Sequence, residues 1–345
     1  MKKNKIRKVI FIIADTLRAK NVGLYGATPS QTPNIDNLGK EGIFFNNAYA
    51  TITKTDPSIT AIMSGKFPIS IGVINHGRDI RKYEENNISK IKLLPEILKQ
   101  NGFKTMAVDW LGRWHKRGYD IYSGKISKDR IDFTFNKIPL LFYLKFIDKA
   151  TLTLFKKNLF TRFYYSFFSK TQLPYDPANL VVDKAINYLE ENNQQKFFLY
   201  LHFWDAHFPH VQSKGIKSYL MDSIEDTYNA EVKFLDQQIG RLLDYLNSQY
   251  KKEELLVIFT ADHGENFFGY GRTFNHEYLY DEVVKIPLII STNNFKKRKV
   301  ENLVQHTDIL PTILDILNIK FSDSADGHSL IGIMKNKKNN NKEKA

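Results

Sequence analysis

Short, continuous runs of apolar residues recur along the chain, and each ends at a polar residue or a turn. The first run covers residues 9–13 and closes just before Asp15. A short run that is apolar at every position is typical of a strand buried on both faces of a parallel sheet. Similar strands are predicted at residues 105–108, 197–203, 255–260 and 287–290.

Stretches with the apolar spacing of helices lie between these predicted strands. They cover residues 93–100, 178–191, 226–246 and 308–317. Thr32 and Pro33 predict a further helix that ends at Gly42, since Thr is a common N-cap and Pro is favoured at the first helical position. Alternation of strands and helices predicts an α/β fold, a mostly parallel central sheet with helices on both faces.

Residues 137–170 depart from this alternation. The segment is dense in Leu, Phe and Tyr and contains several Lys and Arg, but its one acidic residue is Asp148. We predict one or two basic amphipathic helices, inserted as a helical cap or substrate lid. Peripheral contact with a membrane is the alternative, because basic residues interleaved with aromatic ones suit an anionic interface.

The two ends of the chain suggest the domain limits. We predict one catalytic domain over residues 1–334 and a disordered tail over residues 335–345, which is rich in Lys and Asn. The basic start is followed by too short an apolar stretch for a signal peptide, and no apolar run has the length of a transmembrane helix. We therefore expect a cytoplasmic protein, with peripheral attachment to a membrane as the alternative.

The composition restricts the chemistry. The chain has no cysteine, which excludes disulfides, thiolate metal sites and cysteine nucleophiles, so a metal would bind to carboxylates, imidazoles, amides or hydroxyls. The formal net charge of +13 suits an anionic substrate or a membrane surface. No nucleic-acid-binding motif accompanies the charge, so we expect no nucleic-acid partner.

Acidic and histidine side chains follow three of the predicted strands. Asp15 follows the first strand, Asp205 and His207 follow residues 197–203, and Asp262 and His263 follow residues 255–260. Functional groups in such sheets gather at the carboxyl ends of the strands. Because adjacent side chains usually diverge, the bend at the glycine after His263 is what would let both residues reach one cation.

Thr55 begins a predicted helix that extends to about Met63, in the segment Thr-Asp-Pro-Ser. A structural interpretation explains this pattern, since Thr is a common N-cap and Pro is favoured early in a helix. A functional interpretation uses the same geometry. A hydroxyl at a helix N-terminus lies in positive potential, and coordination to a metal would lower its pKa further.

Taken together and in order, these segments resemble the sulfatase branch of the alkaline phosphatase superfamily. The resemblance covers nearly the whole chain, and the common order of the motifs is more specific than any one of them. The segments that carry it are Asp15-Thr16-Leu17-Arg18, Gly23-Leu24-Tyr25-Gly26, Thr32-Pro33-Asn34-Ile35-Asp36, Gly42-Ile43-Phe44-Phe45, Thr55-Asp56-Pro57-Ser58, Met63-Ser64-Gly65, Gly112-Arg113-Trp114-His115, residues 202–209, Asp262-His263-Gly264-Glu265, His276, Leu279-Tyr280-Asp281-Glu282, Ile286-Pro287-Leu288, Asp308-Ile309-Leu310-Pro311-Thr312 and Asp326-Gly327-His328-Ser329-Leu330.

The resemblance implies an alkaline-phosphatase-like fold and a metal-dependent hydrolase of sulfuric or phosphoric esters, with Thr55 as the nucleophile. One divalent ion, Ca, Mn, Mg or Zn, would be held by Asp15, Thr55, Asp262 and His263. The residues that would surround the transferred anion and the leaving group are Arg113, His115, His207 and His276. A second metal is not expected. The substrate would be an anionic ester, linked to a glycan or a lipid.

The chain departs from the sulfatase pattern at the nucleophile. Sulfatases carry Cys or Ser, which is converted to formylglycine, where this chain has Thr55, and Ile59 stands at the position of the family's arginine. Thr16 replaces a second aspartate, and His263 stands where many sulfatases have Asn. Threonine with an Asp-His pair resembles the family's phosphorus-processing members. The alternatives are therefore a phosphoethanolamine or phosphoglycerol transferase acting on a glycan or lipid, and an inactive anion-binding homologue.

The remaining histidines show no spacing that indicates metal binding. We predict surface or capping roles for His76, His210, His306 and His328, and a core position for His202 within its apolar strand.

Overall fold

The computed structural model describes residues 5–123, 175–208, 210, 223–267, 276, 278–321 and 323–335. The predicted insert at residues 137–170 and residues 336–345 of the predicted tail lie outside this part of the chain.

Nine strands form one sheet in the described residues. Their order is β4-β3-β5-β1-β6-β8-β2-β7, and β9 pairs with β2. The strands are β1 Lys8–Ala14, β2 Ile43–Tyr49, β3 Lys104–Val108, β4 Ile121–Ser123, β5 Phe197–Phe203, β6 Leu255–Ala261, β7 Lys285–Ile286, β8 Leu288–Ser291 and β9 Arg298–Gln305. The run β4-β3-β5-β1-β6 is parallel throughout, which confirms the predicted mostly parallel sheet.

The α-helices of the described residues pack on this sheet in two groups. Within one group, α7 contacts both α1 and α6; within the other, α2 contacts both α5 and α9. The helices are α1 Pro33–Glu41, α2 Thr55–Ser64, α3 Pro68–Ile71, α4 Lys82–Ile88, α5 Leu94–Gln100, α6 Ala178–Glu191, α7 Ile224–Gln249, α8 Asp281–Val284, α9 Ile309–Leu317 and α10 Ile331–Met334. Every residue of β1, β5 and β6 is buried, so both faces of the central sheet are covered.

Four strands, β2, β4, β7 and β9, were not predicted, and one predicted strand runs against the predicted direction. The pattern of β2 is interrupted by Asn46 and Asn47, and most residues of β9 are exposed or half-buried, so neither forms a continuous apolar run. Strand β8 is antiparallel to both β6 and β2. An apolar run does not reveal the direction of its strand, because periodicity reports burial alone.

The start of α1 agrees with the prediction in position but not in bonding. Thr32 is the N-cap, Pro33 is the first helical residue and Gly42 follows the last turn. The Thr32 hydroxyl makes no capping bond; it donates to Asp36 Oδ1 at 3.0 Å and accepts the Gly23 N–H at 2.9 Å. The threonine therefore ties the preceding loop to the helix.

The three central strands end in register. Ala14 at the end of β1 pairs with Phe203 of β5 and with Ala261 of β6. The residues that follow these strands therefore emerge at one edge of the sheet, where the sequence pattern predicts the site. Among the described residues, no helix is long and apolar enough to cross a membrane.

Candidate metal and anion site

Asp15, Asp262 and His263 form a buried group, which we call the metal cluster. One ligand atom from each residue lies within 4.8 Å of the others, and all three residues have no exposed surface. Both carboxylate oxygens of Asp15 and Oδ2 of Asp262 have no hydrogen-bond partner in the described part of the structure. Burying a charge without compensation costs several kcal/mol, so this donor set fits a cation.

The backbone orients Asp262 toward the cluster. Its Oδ1 accepts the N–H groups of Thr16 at 3.0 Å and of His263 at 2.8 Å, which leaves Oδ2 directed at the other ligands. Burial raises the pKa of Asp262, and burial together with the charge of Asp262 raises the pKa of Asp15. A bound cation would act in the opposite direction on both groups.

His263 is in the tautomer that binds metals. Its Nδ1 lies 2.8 Å from the Gly264 carbonyl oxygen, an acceptor, so the proton is on Nδ1. The Nε2 lone pair then faces Asp262 Oδ2 at 3.2 Å and Thr55 Oγ1 at 3.5 Å. Burial lowers the pKa of His263 to about 4, so the ring is neutral at neutral pH, as a metal ligand must be.

The turn after His263 requires glycine. A Cβ on Gly264 would lie 2.1 Å from the backbone oxygen of Glu282. The Gly264 N–H also donates to the Val283 carbonyl at 2.7 Å. This close approach of two backbones lets Asp262 and His263 contribute to one cluster although they are adjacent in the chain.

Thr55 lies beside the metal cluster at the N-terminus of α2. The N-cap of this helix is Lys54 and Thr55 is its first residue, so the capping interpretation does not apply to it. Its Oγ1 instead faces His263. The side chain is thus placed where a helix N-terminus and the metal cluster both act on the hydroxyl.

Asp56 is the centre of a second group, the Asp56 cluster, which also contains His76, Arg113 and His115. Asp56 Oδ1 lies 3.0 Å from His115 Nε2, and Oδ2 lies 2.6 Å from His76 Nδ1 and 3.7 Å from an Arg113 nitrogen. Burial alone would raise the pKa of Asp56, but the hydrogen bonds of His115 and His76 hold it far below its usual range. Asp56 is therefore a buried, charged carboxylate.

The Asp56 cluster changes the environment of two predicted anion-binding residues. His115 is buried and its Nε2 is engaged by Asp56, whereas the Arg113 side chain keeps 29% of its surface exposed. Arg113 is therefore the member of this pair with room for an external anion. No sequence pattern indicated a role for Asp56, and His76 was predicted to have a surface or capping role, because their pairing depends on a contact across 20 positions of the chain.

His207 and His276, the predicted groups near the leaving group, lie beside His263 of the metal cluster. The His276 ring centroid is 4.7 Å from that of His263 and 6.2 Å from that of His207. Burial and the neighbouring His276 lower the pKa of His207 well below its usual value. Although burial lowers it, contact with Glu265 raises the pKa of His276, so His276 is the better proton donor of the two.

His202 is not an isolated core histidine. Its Nδ1 lies 2.8 Å from Asp109 Oδ1, and its Nε2 lies 3.4 Å from Asp15 Oδ2, an ion-pair distance rather than a well-formed hydrogen bond. Burial alone would lower the pKa of His202, but these two carboxylates raise it to about 10. The ring therefore carries a charge next to the metal cluster.

The other candidate residues have structural contacts. His306 Nε2 donates to the Ala261 carbonyl at 3.0 Å, and its Nδ1 accepts the Thr51 N–H at 3.4 Å, which ties the loop before α2 to the end of β6. Asp205 Oδ1 accepts the N–H of Ala178 at the start of α6 at 2.9 Å. His328 is exposed, as predicted. The remaining residue, His210, is buried among aromatic rings.

Fold and site together define an α/β protein with a buried metal cluster beside a hydroxyl at a helix N-terminus. The sequence model of the sulfatase family matches residues 7–319. The chain therefore belongs to the sulfatase family, which confirms the predicted family. Membership of this family also supports the predicted class of enzyme, a sulfatase-like hydrolase.

Relatives and solved structures agree with this assignment. The chain is 25% identical to an ulvan-active sulfatase of Formosa agariphila over 95% of its own length and 65% of that protein. It is also 25% identical to human N-acetylgalactosamine-6-sulfatase, over 74% of the chain and 49% of that protein. The phosphonate monoester hydrolase of Agrobacterium radiobacter has a similar fold, with a TM-score of 0.69 at 16% identity, covering 96% of this chain and 77% of that one. The alkaline-phosphatase-like fold is thereby confirmed.

Proposed function

We propose that this protein hydrolyses sulfuric or phosphoric esters in a metal-dependent reaction with Thr55 as the nucleophile. The observation that carries the proposal is the position of Thr55. Thr55 is the first residue of α2, and its Oγ1 lies 3.5 Å from His263 Nε2, the same nitrogen that faces Asp262 Oδ2 in the metal cluster. A hydroxyl needs such activation because it is a weak nucleophile at its ordinary pKa.

A divalent cation fits the metal cluster because the carboxylate oxygens there have no hydrogen-bond partner among the described residues. Asp15, Asp262, His263 and Thr55 would hold it, and the bound ion would supply positive charge that lowers the pKa of the Thr55 hydroxyl and attracts the substrate anion. Carboxylate, imidazole and hydroxyl donors suit Ca, Mg, Mn or Zn.

The side chains suggest an order of events. Thr55 loses its proton to solvent, and its Oγ1 forms a bond to sulfur or phosphorus while the bond to the leaving oxygen breaks. His276 gives its proton to that oxygen. Water then attacks the covalent ester, restores the Thr55 hydroxyl and releases sulfate or phosphate. Arg113 would stabilise the negative charge on the transferred group.

The substrate class that we propose is an ester carried by a glycan. One similar relative is named for ulvan and another for N-acetylgalactosamine 6-sulfate groups. A net charge of +13 favours the approach of an anionic substrate of this kind.

Two substitutions at Thr55 test the proposal. Thr55→Val keeps the shape of the side chain but removes the hydroxyl, whereas Thr55→Ser keeps the hydroxyl. Hydrolysis of aryl sulfate, aryl phosphate, aryl phosphodiester and aryl phosphonate should be measured with Mg, Ca, Mn and Zn in turn. We expect turnover with at least one pair of substrate and metal. This turnover should be retained in Thr55→Ser and abolished in Thr55→Val.

Three outcomes would contradict or redirect the proposal. Unchanged turnover in Thr55→Val would remove the nucleophile. Absence of turnover with every pair, together with tight binding of phosphate or sulfate, would indicate an inactive homologue. Release of the leaving group that depends on an added hydroxyl acceptor would indicate a transferase.

A further inference from the structure

We propose that Asp109 is a positioning residue that holds both halves of the site: it fixes the metal ligand Asp15 through His202, and it fixes the loop that carries Arg113 through Tyr122. The inference rests on the proposed metal site. Asp109, His202 and Tyr122 were assigned no catalytic or metal-binding role from the sequence.

The first connection runs from Asp109 to Asp15. The side chains of Asp109, His202 and Asp15 have no exposed surface. His202 Nδ1 lies 2.8 Å from Asp109 Oδ1, and on the other side of the ring Nε2 lies 3.4 Å from Asp15 Oδ2. The Asp15 carboxylate has no hydrogen bond to other described residues, so His202 is the polar side chain placed to orient it.

A second contact, with the face of the imidazole, also holds the His202 ring in place. It is stacked on Trp110, with ring centroids 5.6 Å apart and planes inclined by 25°. With Asp109 at one nitrogen and an indole on its face, the ring cannot rotate without losing both contacts. A histidine held in this way can keep a carboxylate ligand in one orientation, which is how outer partners commonly act on metal ligands.

The second connection runs from Asp109 to the Arg113 loop. The Tyr122 hydroxyl donates to Asp109 Oδ2 and accepts the N–H of Gly112 at 2.8 Å. Asp109 Oδ1 also accepts the N–H of Leu111 at 3.3 Å. One buried carboxylate thus holds the loop from two directions.

This loop needs such support because its backbone is strained. Gly112 has φ 67° and Arg113 has φ 46°. A positive φ is unfavourable for a residue with a side chain and persists where neighbouring contacts enforce it. Without the Tyr122 contact, we expect the loop to relax and Arg113 to move away from the anion position.

The two connections can be cut separately. His202→Asn keeps an amide near the Nδ1 position, so Asp109 retains a partner, but it removes the group that faces Asp15. Tyr122→Phe removes the Tyr122 contact with the loop, keeps the Leu111 contact with Asp109 and leaves His202 in place. Asp109→Asn weakens both. Each variant should be made in the full chain and freed of metal with a chelator.

The readouts are binding and stability rather than turnover. Calorimetric titration with Mn²⁺ measures the metal site, binding of inorganic phosphate in saturating Mn²⁺ measures the anion position, and thermal unfolding measures stability. We expect His202→Asn to weaken Mn²⁺ binding about 10- to 100-fold. Tyr122→Phe should leave Mn²⁺ affinity unchanged and weaken phosphate binding, and Asp109→Asn should weaken both.

The outcomes separate this inference from the proposed function. If the wild type binds Mn²⁺ but hydrolyses no ester, the proposed function fails and the positioning role stands. If His202→Asn binds Mn²⁺ as tightly as the wild type and differs in thermal stability alone, the positioning role is overturned while the proposed function stands. A wild type that binds no Mn²⁺ overturns the inference directly. Should Asp109→Asn not fold, the other two variants still decide.

Discussion

The metal cluster and the Asp56 cluster lie side by side, yet their carboxylates are in opposite states. The oxygens that Asp15 and Asp262 direct into the cluster lack hydrogen-bond partners in the described structure, whereas Asp56 is contacted by two imidazoles, a guanidinium and a backbone N–H. Buried carboxylates without hydrogen-bond partners repel one another and favour a cation from outside. A carboxylate that is already paired sets the charge of its surroundings internally. Acidic residues that lie near one another, Asp15 and Asp262 in the metal cluster and Asp56 in the Asp56 cluster, therefore have different tasks.

The largest expected effect comes from breaking the metal cluster. Asp262→Asn should abolish Mn²⁺ binding. It should also reduce ester turnover by more than the roughly 100-fold that is typical when a residue supporting a metal ligand is replaced. At the same time it should stabilise the metal-free protein, because the charge repulsion with Asp15 is relieved. Calorimetric titration and urea unfolding of the metal-free protein would measure both effects. A metal-free variant less stable than the wild type would contradict the view that this carboxylate is uncompensated.

The same substitution in the Asp56 cluster should have the opposite effect on stability. Asp56→Asn removes the partner of three cationic or polar groups, and breaking a buried pair costs about 3–5 kcal/mol. Urea unfolding should show this loss, and Asp79→Asn, at an exposed position, is the matched control. Equal effects of Asp56→Asn and Asp79→Asn would mean that the Asp56 cluster is not a charged network.

The stabilisation by Asp56 should also depend on pH. The folded-state pKa of Asp56 lies below its usual value. Its contribution to stability is therefore complete above the unfolded-state pKa, about 3.9, and is lost as the pH falls from that value toward the folded-state pKa. The difference between wild type and Asp56→Asn in urea unfolding should therefore narrow below about pH 4. A difference that stays constant from pH 7 to pH 3 would argue against a charged Asp56.

A smaller effect is expected at His276. His276→Gln should reduce hydrolysis of esters with a poor leaving group by about 100-fold, and much less for a nitrophenol, which leaves without a proton. The slope of rate against leaving-group pKa measures this role. An equal loss for both kinds of ester would indicate that His276 binds the substrate instead of protonating the leaving group.

The smallest effect is the stabilisation by metal itself. At a Mn²⁺ concentration about ten times Kd, binding should stabilise the folded protein by about 1.4 kcal/mol. Thermal unfolding with Mn²⁺ and with a chelator should show the difference in the wild type and in Asp56→Asn, but not in Asp262→Asn. A difference that persists in Asp262→Asn would place the metal elsewhere.

Much of the fold could be predicted because burial leaves a direct mark on the sequence. The continuous apolar runs of β1, β5 and β6 identified the central strands, and the polar residues that end these runs located Asp15 and Asp262. Strands β2 and β9 lack that mark because they are partly exposed. The roles of the site residues, the cytoplasmic location and the domain limits stay predictions.

The sequence by itself determined which side chains end the central strands, since each follows its strand directly, and it determined the family through the order of its motifs. The tertiary structure alone decided how the charges are paired. Asp109 meets His202 across 93 positions and Asp56 meets His115 across 59, contacts that no local periodicity encodes. The physical reason is that burial of an apolar run depends on its own composition, whereas the state of a buried charge depends on whichever distant group the fold places beside it.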